Sequence, residues 1–189
     1  MSKFNRFPRS AKTNYNRLRP FLDAVDAQEE KQFTFHAGDA FMPLSIEYLH
    51  EHFDGMPVYS IMHYFIQEGD LMRDPDVTFA VDREGGRILP LTFRQDGCSF
   101  AKYGTLYHEV FPNPGMFSPY IPSYLASIDS FLRTWTQNII DQGFSPDEPS
   151  HAAAPDPDVP APVPLPVEDP DNGPVHCTYE EFVAAYTGR

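Results

Sequence analysis

The hydrophobic pattern near the start of the chain predicts one amphipathic helix over residues 19–31. Pro20 suits the first helical turn, where its missing N–H leaves no helical hydrogen bond unmade. Three apolar residues at helical spacing follow it, namely Phe21, Leu22 and Val25. The helix should therefore place one face on a core.

The next residues predict two strands. Residues 42–48 alternate between apolar and polar side chains, which is strand spacing. Pro43 lacks a donor for the ladder, so this strand should be an edge strand or begin there. After the turn signal Asp54–Gly55, residues 58–67 are apolar or aromatic at nearly every position. That run predicts a central strand covered on both faces.

Three further strands complete the predicted sheet. Gly69 and the acidic residues after it predict a loop, and residues 76–81 then predict a third strand. A turn at residues 84–86 leads into a returning strand over residues 87–95. A shorter fifth strand is predicted over residues 105–111.

The strongest periodic pattern belongs to a long helix over residues 121–142. Its apolar residues recur at three- and four-residue steps, and Gly143 stands where a left-handed cap is expected. The fold class is therefore predicted to be α+β. A mostly antiparallel sheet of four to five strands is flanked by the N-terminal helix and this long C-terminal helix, in a single domain over residues 19–144.

The segments outside this domain differ in composition. Residues 1–18 predict a basic flexible arm. Residues 145–176, rich in proline and aspartate, predict a disordered linker. Residues 177–189 predict a short amphipathic helix whose apolar face could bind a partner. That face consists of Tyr179, Phe182, Val183 and Tyr186.

The expected compartment is the cytoplasm. The two cysteines, Cys98 in a predicted turn and Cys177 in the tail, are poorly placed for a stabilising bridge. No apolar run reaches the roughly 18 residues that a membrane span needs, and the first residues do not resemble a signal peptide. No membrane association is expected.

Charge is unevenly distributed along this acidic chain, whose formal net charge is −13. Residues 1–20 carry six bases and no acid, whereas the remainder is strongly acidic. The basic segment could contact nucleic acid. A solvated leader or contact with the acidic body explains the same bases, and these alternatives stay open.

One acidic stretch invites a chemical interpretation. His63 precedes Asp70, Asp74 and Asp76, and carboxylates near a histidine could bind a divalent metal or act as acid and base. Turn chemistry is favoured instead, because short acceptors beside glycine and proline bond nearby backbone N–H groups. No metal template is matched, so no catalytic residue, metal or cofactor is predicted.

Other chemistry-bearing residues are interpreted structurally. The histidines His36, His50, His52 and His108 are expected to be solvated on the surface. Cys98 is expected to be an idle thiol. Tyr107 and Phe111 could stack bases, but core packing explains them more simply.

The chain resembles an uncharacterised family recorded as a domain of unknown function and carried by phages and conjugative elements. The resemblance is carried by His63–Tyr64, residues 69–72 (Gly-Asp-Leu-Met), residues 74–76 (Asp-Pro-Asp), Gln95–Asp96, and the helix ending in residues 135–144. It covers about residues 40–144. It implies a small accessory protein of mobile elements and supplies no activity.

Two functional hypotheses follow. The first is a non-enzymatic accessory protein that acts through protein–protein contacts, with an acidic surface suited to a basic partner. The alternative is a small metal-dependent enzyme centred on His63, Asp70, Asp74 and Asp76. The two differ in whether those four side chains converge. Nucleic-acid binding through residues 1–20 is a third, weaker hypothesis.

Overall fold

The structure is a computed structural model that describes residues 7–38, 40–67, 70–98, 104–112 and 120–146. The first six residues of the predicted arm lie outside the described residues. So do the predicted linker from residue 147 onward and the predicted C-terminal helix with Tyr179, Phe182, Val183 and Tyr186.

The described chain contains two helices and one antiparallel sheet, and the predicted α+β class is confirmed. In chain order the elements are α1 Ala11–Ala27, β1 Gln32–Phe35, β2 Leu44–Phe53, β3 Met56–Gln67, β4 Asp70–Asp82, β5 Arg87–Asp96, β6 Thr105–Glu109 and α2 Pro122–Asp141. The strands follow one another in the sheet in sequence order, as a meander.

The sheet has six strands where four to five were predicted. The additional strand is β1, Gln32–Phe35, which alternates polar and apolar residues but is only four residues long. It pairs antiparallel with Leu44–Glu47 of β2, so the edge-strand alternative is wrong, whereas the alternative of a strand that begins at Pro43 agrees to within one residue. Pro43 stands just before β2, where its missing N–H removes no ladder bond.

Helix α1 begins at Ala11, eight residues before the predicted start, so residues 11–18 of the predicted arm are helical. Pro20 lies inside the helix rather than in its first turn. The proline removes the bond that would reach the carbonyl of Asn16, but both residues are exposed, so water can satisfy that carbonyl.

A polar seam between the two helices explains the early start of α1. Asn14 is completely buried, and its side-chain amide donates to Asp129 of α2. Asp129 also accepts the backbone N–H of Ser10, at the position just before the helix. Burial of the Asp129 carboxyl raises its pKa, although the Ser10 hydrogen bonds oppose that shift. The early start also had an apolar signal, since Ala11, Tyr15 and Leu18 recur at helical spacing and are buried.

Both helices lie on the same face of the sheet. The Tyr59 hydroxyl donates to Asp26 of α1 over 2.8 Å. The ring of His63 lies 5.5 Å from Trp135 of α2, and Phe93 of β5 lies 5.2 Å from Phe131. Trp135 is 7% exposed, which confirms that it belongs to the core.

Strand β4 begins at Asp70, so the predicted loop before residue 76 is part of the strand. Its pairing with β3 is irregular: Met62 pairs with Asp76 but Tyr64 pairs with Arg73. One additional residue is therefore accommodated in β4 beside Pro75, which has no N–H to offer the ladder. Proline and aspartate residues are typical of loops, and sequence alone does not show a bulge. For this reason the start of β4 was predicted to be a loop.

The sheet curves strongly at the end that holds the β2–β3 hairpin. In a flat sheet β2 and β6 would lie about 19 Å apart, four strand spacings. Yet the ring of Phe53, in β2, lies 4.6 Å from Phe111, two residues beyond β6. Inside this curve three buried residues lie in register on the face away from the helices, namely Val58, Ala80 and Leu89. The first half of β3 is thus covered on both faces, but the prediction of such a strand over residues 58–67 is wrong for the second half, where Ile66 and Gln67 are exposed.

The end of α2 matches its prediction closely. The helix ends at Asp141, and Gly143 follows with a positive φ of 87°. The N–H groups of Gly143 and Phe144 donate to the carbonyls of Ile140 and Ile139, which is the Schellman arrangement. Phe144 is thereby turned back onto the core, where it is buried.

Candidate functional site

One face of the sheet carries no described helix and is called the open face. Successive residues of a strand point to opposite faces. Since Tyr59 and His63 contact the helices, their neighbours on β3 point away from them. The strand registers extend this face over β4, β5 and β6. Beyond the buried Val58, Ala80 and Leu89, it includes Ser60, Met62, Tyr64, Ile66, Arg73, Asp76, Thr78, Thr92, Arg94, Asp96, Thr105, Tyr107 and Glu109, of which Ile66 is 55% exposed.

Polar side chains dominate the open face. One row across the strands runs Ser60, Thr78, Thr92, Glu109, and the next runs Met62, Asp76, Arg94, Tyr107. Within the first row the hydroxyls of Thr78 and Thr92 lie 2.6 Å apart. Hydroxyls and charges in ordered rows suit a polar partner surface better than an apolar helix.

A cluster of two arginines and two aspartates occupies the centre of this face. The Arg73 guanidinium lies 3.5 Å from both Asp76 and Asp96. Asp96 also accepts hydrogen bonds from Arg94 Nε and from the Thr105 hydroxyl, each over 3.1 Å. The Asp96 side chain is only 9% exposed, whereas Arg73 and Arg94 are 24 and 30% exposed. The carboxylate of Asp76, at 18%, is nearly as accessible as Arg73, so the cluster presents charges of both signs.

The Asp76 carboxyl has a raised pKa. Burial raises its pKa, as does the nearby Asp96 charge. The Ser60 hydroxyl, which donates to Asp76 over 2.7 Å, lowers that pKa, as do Arg73 and Arg94. Desolvation outweighs these partners, so the carboxylate form of Asp76 is less favourable than in water.

Tyrosines flank the cluster on both sides. Tyr64 pairs across the strands with Arg73, and Tyr107 pairs with Arg94. Both tyrosines are partly exposed. Tyrosine and arginine are the residue types that most often dominate the energy of protein interfaces, because they combine large contact area with directed hydrogen bonds.

The four residues of the hypothesised metal-dependent site are not gathered at one place. His63 faces the helices, whereas Asp76 lies on the open face. Asp70 is exposed at the start of β4, six residues or about 20 Å along the strand from Asp76. Asp74 accepts a hydrogen bond from Gln95 of β5 over 2.6 Å. Asp74 and Asp76 were expected to accept hydrogen bonds from nearby backbone N–H groups. Their carboxylates instead accept hydrogen bonds from side chains of neighbouring strands.

His63 lies in a small aromatic pocket. Its Nδ1 is 2.9 Å from the Pro43 carbonyl, and because a carbonyl only accepts, Nδ1 carries the proton. Trp135 and Phe144 lie against the ring at 5.5 and 5.7 Å. Burial lowers the pKa of His63, while the Pro43 carbonyl and the Asp74 charge oppose that shift. His63 is therefore a neutral packing residue that joins β3 to the end of α2.

The remaining histidines occupy different environments. His36, His50 and His52 are exposed, as predicted, and the last two lie beside Tyr48. The prediction for His108 is wrong, because it is buried and stacks on Tyr124 with ring centroids 4.4 Å apart. His108 lies on the side of β6 that packs against α2. The five residues of this strand do not show from sequence alone which side is buried.

Cys98 is buried and forms no disulfide, in agreement with an idle thiol. Burial raises the pKa of its thiol, which disfavours the reactive thiolate. Phe111 packs against the core, which favours the structural interpretation of this aromatic residue.

Sequence reasoning missed most of the open face. Ser60 and Arg73 carried no motif, and Asp96 belonged only to the family resemblance, since the proximity of these residues arises from strand pairing. A signal was nevertheless present: polar residues alternate along β5 at Thr92, Arg94 and Asp96. Such alternation is typical of a strand with one solvated face.

The described residues contain no group of three or more His, Cys, Asp or Glu residues placed to hold a metal ion. None of the helices in the described part of the chain is long and apolar enough to cross a membrane.

Comparison with known proteins places the chain in a family. It matches no curated protein and no solved structure. A family model, described as a domain of unknown function (DUF6908), matches residues 16–145. This range includes the sheet, α2, most of α1 and the whole open face. The chain therefore belongs to the DUF6908 family.

Proposed function

We propose that the protein is a non-enzymatic accessory protein of a mobile genetic element and that it binds a partner protein through the open face. The observation that supports this proposal is the Arg–Asp cluster between Tyr64 and Tyr107 on a sheet face without a described helix. The mobile-element context rests on the family resemblance of the motifs around His63 and Asp74.

The cluster suits binding because its geometry is held in advance. Asp96 fixes both arginines, so their guanidinium groups lose little conformational freedom when a partner arrives. The cross-strand hydrogen bond from Ser60 holds Asp76 in place, and Asp76 is the second carboxylate beside the Arg73 guanidinium. Preorganised arginines beside tyrosines have the composition of an interface centre.

The partner should present a basic surface. The open face holds three acidic residues and two arginines, and the whole chain carries a net charge of −13. Complementary charge accelerates association and suppresses wrong partners. Binding should therefore weaken as salt is added.

Geometry gives less support to the other hypotheses. A metal-dependent site would need His63 and Asp76 on one side of the sheet, but they lie on opposite faces. For nucleic-acid binding through residues 1–20, one of the six bases is already engaged. Arg17 donates to the Arg133 carbonyl and to Gln137 of α2.

The proposal is tested by capture of the partner from the native host, followed by affinity measurement with purified components. Tyr64→Ala should weaken binding about tenfold or more, as truncation of an interface anchor does. Ser130→Ala, on the exposed side of α2, is the control and should leave affinity unchanged. Equal affinities for both variants and wild type would exclude the open face as the binding surface.

A further inference from the structure

Exposed apolar residues lie near Phe144, close to the end of the described domain. Three of the four exposed large hydrophobic residues in the described ranges are found there: Phe41, Met42 and Ile140, which are 40, 38 and 43% exposed. The Phe41 ring lies 6.4 Å from the ring of Phe144, and Ile140 lies in the last turn of α2. We call Phe41, Met42 and Ile140 the exit patch.

The exit patch has a well-anchored base. Phe144 is held by the Schellman bond to the Ile139 carbonyl and packs on His63 at 5.7 Å. His63 in turn holds the Pro43 carbonyl, next to Met42. Phe41 and Met42 are thus presented on a fixed surface, which lowers the entropy cost of a contact there.

The tail carries a segment of matching chemistry. Within residues 178–186 the apolar residues recur at steps of three, one and three, which is the spacing of an amphipathic helix that docks in an apolar groove. The connection from Phe144 to this segment is about 30 residues. A chain of that length spans from about 30 Å as a coil to about 100 Å as polyproline II, so it can return to the exit patch.

We propose that residues 178–186 dock on the exit patch of their own domain through Tyr179, Phe182, Val183 and Tyr186. The tail departs two residues after Phe144, beside the patch, so tethering raises the local concentration of the segment there. A second copy of the chain or another protein would have to reach the same patch without this advantage. The docking surface is separate from the open face and does not depend on the proposed function.

Hydrogen exchange of the full-length protein provides the test. Amides of residues 178–186 and 40–42 should exchange more slowly in wild type than in Val183→Asp. Ala184→Asp, which adds the same charge on the opposite side of the segment, should exchange as wild type. On the domain, Ile140→Asp should release the segment, whereas Asn138→Asp, also exposed on α2, should not.

Three outcomes would overturn the docking proposal. The first is equal exchange in wild type, Val183→Asp and Ile140→Asp. The second is protection that increases with protein concentration, which would indicate a second copy as the occupant. The third is protection that appears only after host lysate is added, which would indicate another protein. None of these outcomes concerns Tyr64, so the test of the open face remains separate.

Discussion

At the residue scale, burial and local hydrogen bonds compete in setting the pKa values of carboxyl groups in this domain. Asp76 and Asp129 both sit where desolvation raises the carboxyl pKa. Asp82 behaves in the opposite way, because its pKa is lowered overall. Burial raises this pKa, but the hydrogen bonds from the Gly85 N–H and the Arg87 guanidinium outweigh that effect. These residues therefore contribute to stability with opposite dependence on pH.

A pH series of denaturant melts should resolve this difference. A raised folded-state pKa means that Asp76 favours the native state most at low pH and loses this contribution as pH rises from about 4 through the raised value. The free energy of unfolding of wild type minus that of Asp76→Asn should therefore fall over this window. For Asp82→Asn, the free energy of unfolding of wild type minus that of the variant should instead increase as pH rises. The reason is that the pKa of Asp82 is lowered in the folded state, so its contribution is lost at acidic pH. Parallel curves for the two variants would contradict the assignments.

The single tryptophan should be a large stability determinant. Trp135 contacts Phe131 and His63 and is almost completely buried. Trp135→Ala should lower the free energy of unfolding by about 3–5 kcal/mol, the typical cost of truncating a buried tryptophan. Chemical denaturation measures the change, and an unchanged midpoint would refute the packing of α2 on the sheet.

At the element scale, apolar periodicity located α2 to within one residue at each end, whereas the start of α1 was missed. The stripe of α2 packs on the sheet through apolar residues, so sequence and structure report the same face. The first half of α1 adds a polar contact between Asn14 and Asp129 of α2, but its buried Ala11, Tyr15 and Leu18 also follow helical spacing. That apolar stripe was overlooked because the segment was interpreted as a basic arm. Residues 70–75 were misassigned because their strand tolerates proline only through a bulge that tertiary pairing imposes.

The polar seam of α1 can be tested directly. Asp129→Ala would leave the Ser10 N–H and the Asn14 amide buried without their acceptor. The expected loss is about 1–3 kcal/mol of unfolding free energy. Ser130→Ala, the neighbouring exposed position, should change it by less than about 0.5 kcal/mol. Equal effects of the two substitutions in urea melts would mean that the seam is energetically unimportant.

At the scale of the whole molecule, sequence indicated the fold class but not the candidate site. The α+β arrangement follows from two helical stripes around alternating strands. The open face, by contrast, exists only after β3, β4, β5 and β6 pair in register, which brings Tyr64, Arg73 and Asp96 together from distant positions. The hypothesised site at His63 and Asp76 failed to converge because sequence proximity does not determine which face a residue occupies.

The domain should fold without its tail. The described core ends with Phe144, and the composition of residues 147–176 offers few groups that could stabilise it. A chain ending at Pro146 should melt within a few degrees of full length by circular dichroism, since a docked segment held by three partly exposed residues adds little. A fall of more than about 10 °C would mean that the tail is part of the core.

The central claim is that the open face contacts a protein partner, and site-specific photocrosslinking tests it most directly. A photoreactive residue at position 64, on the open face, should form an adduct with a host protein, and added salt should reduce its yield. The same residue at position 130, on the outer side of α2, should form no such adduct. An adduct from position 130 with none from position 64 would contradict the claim.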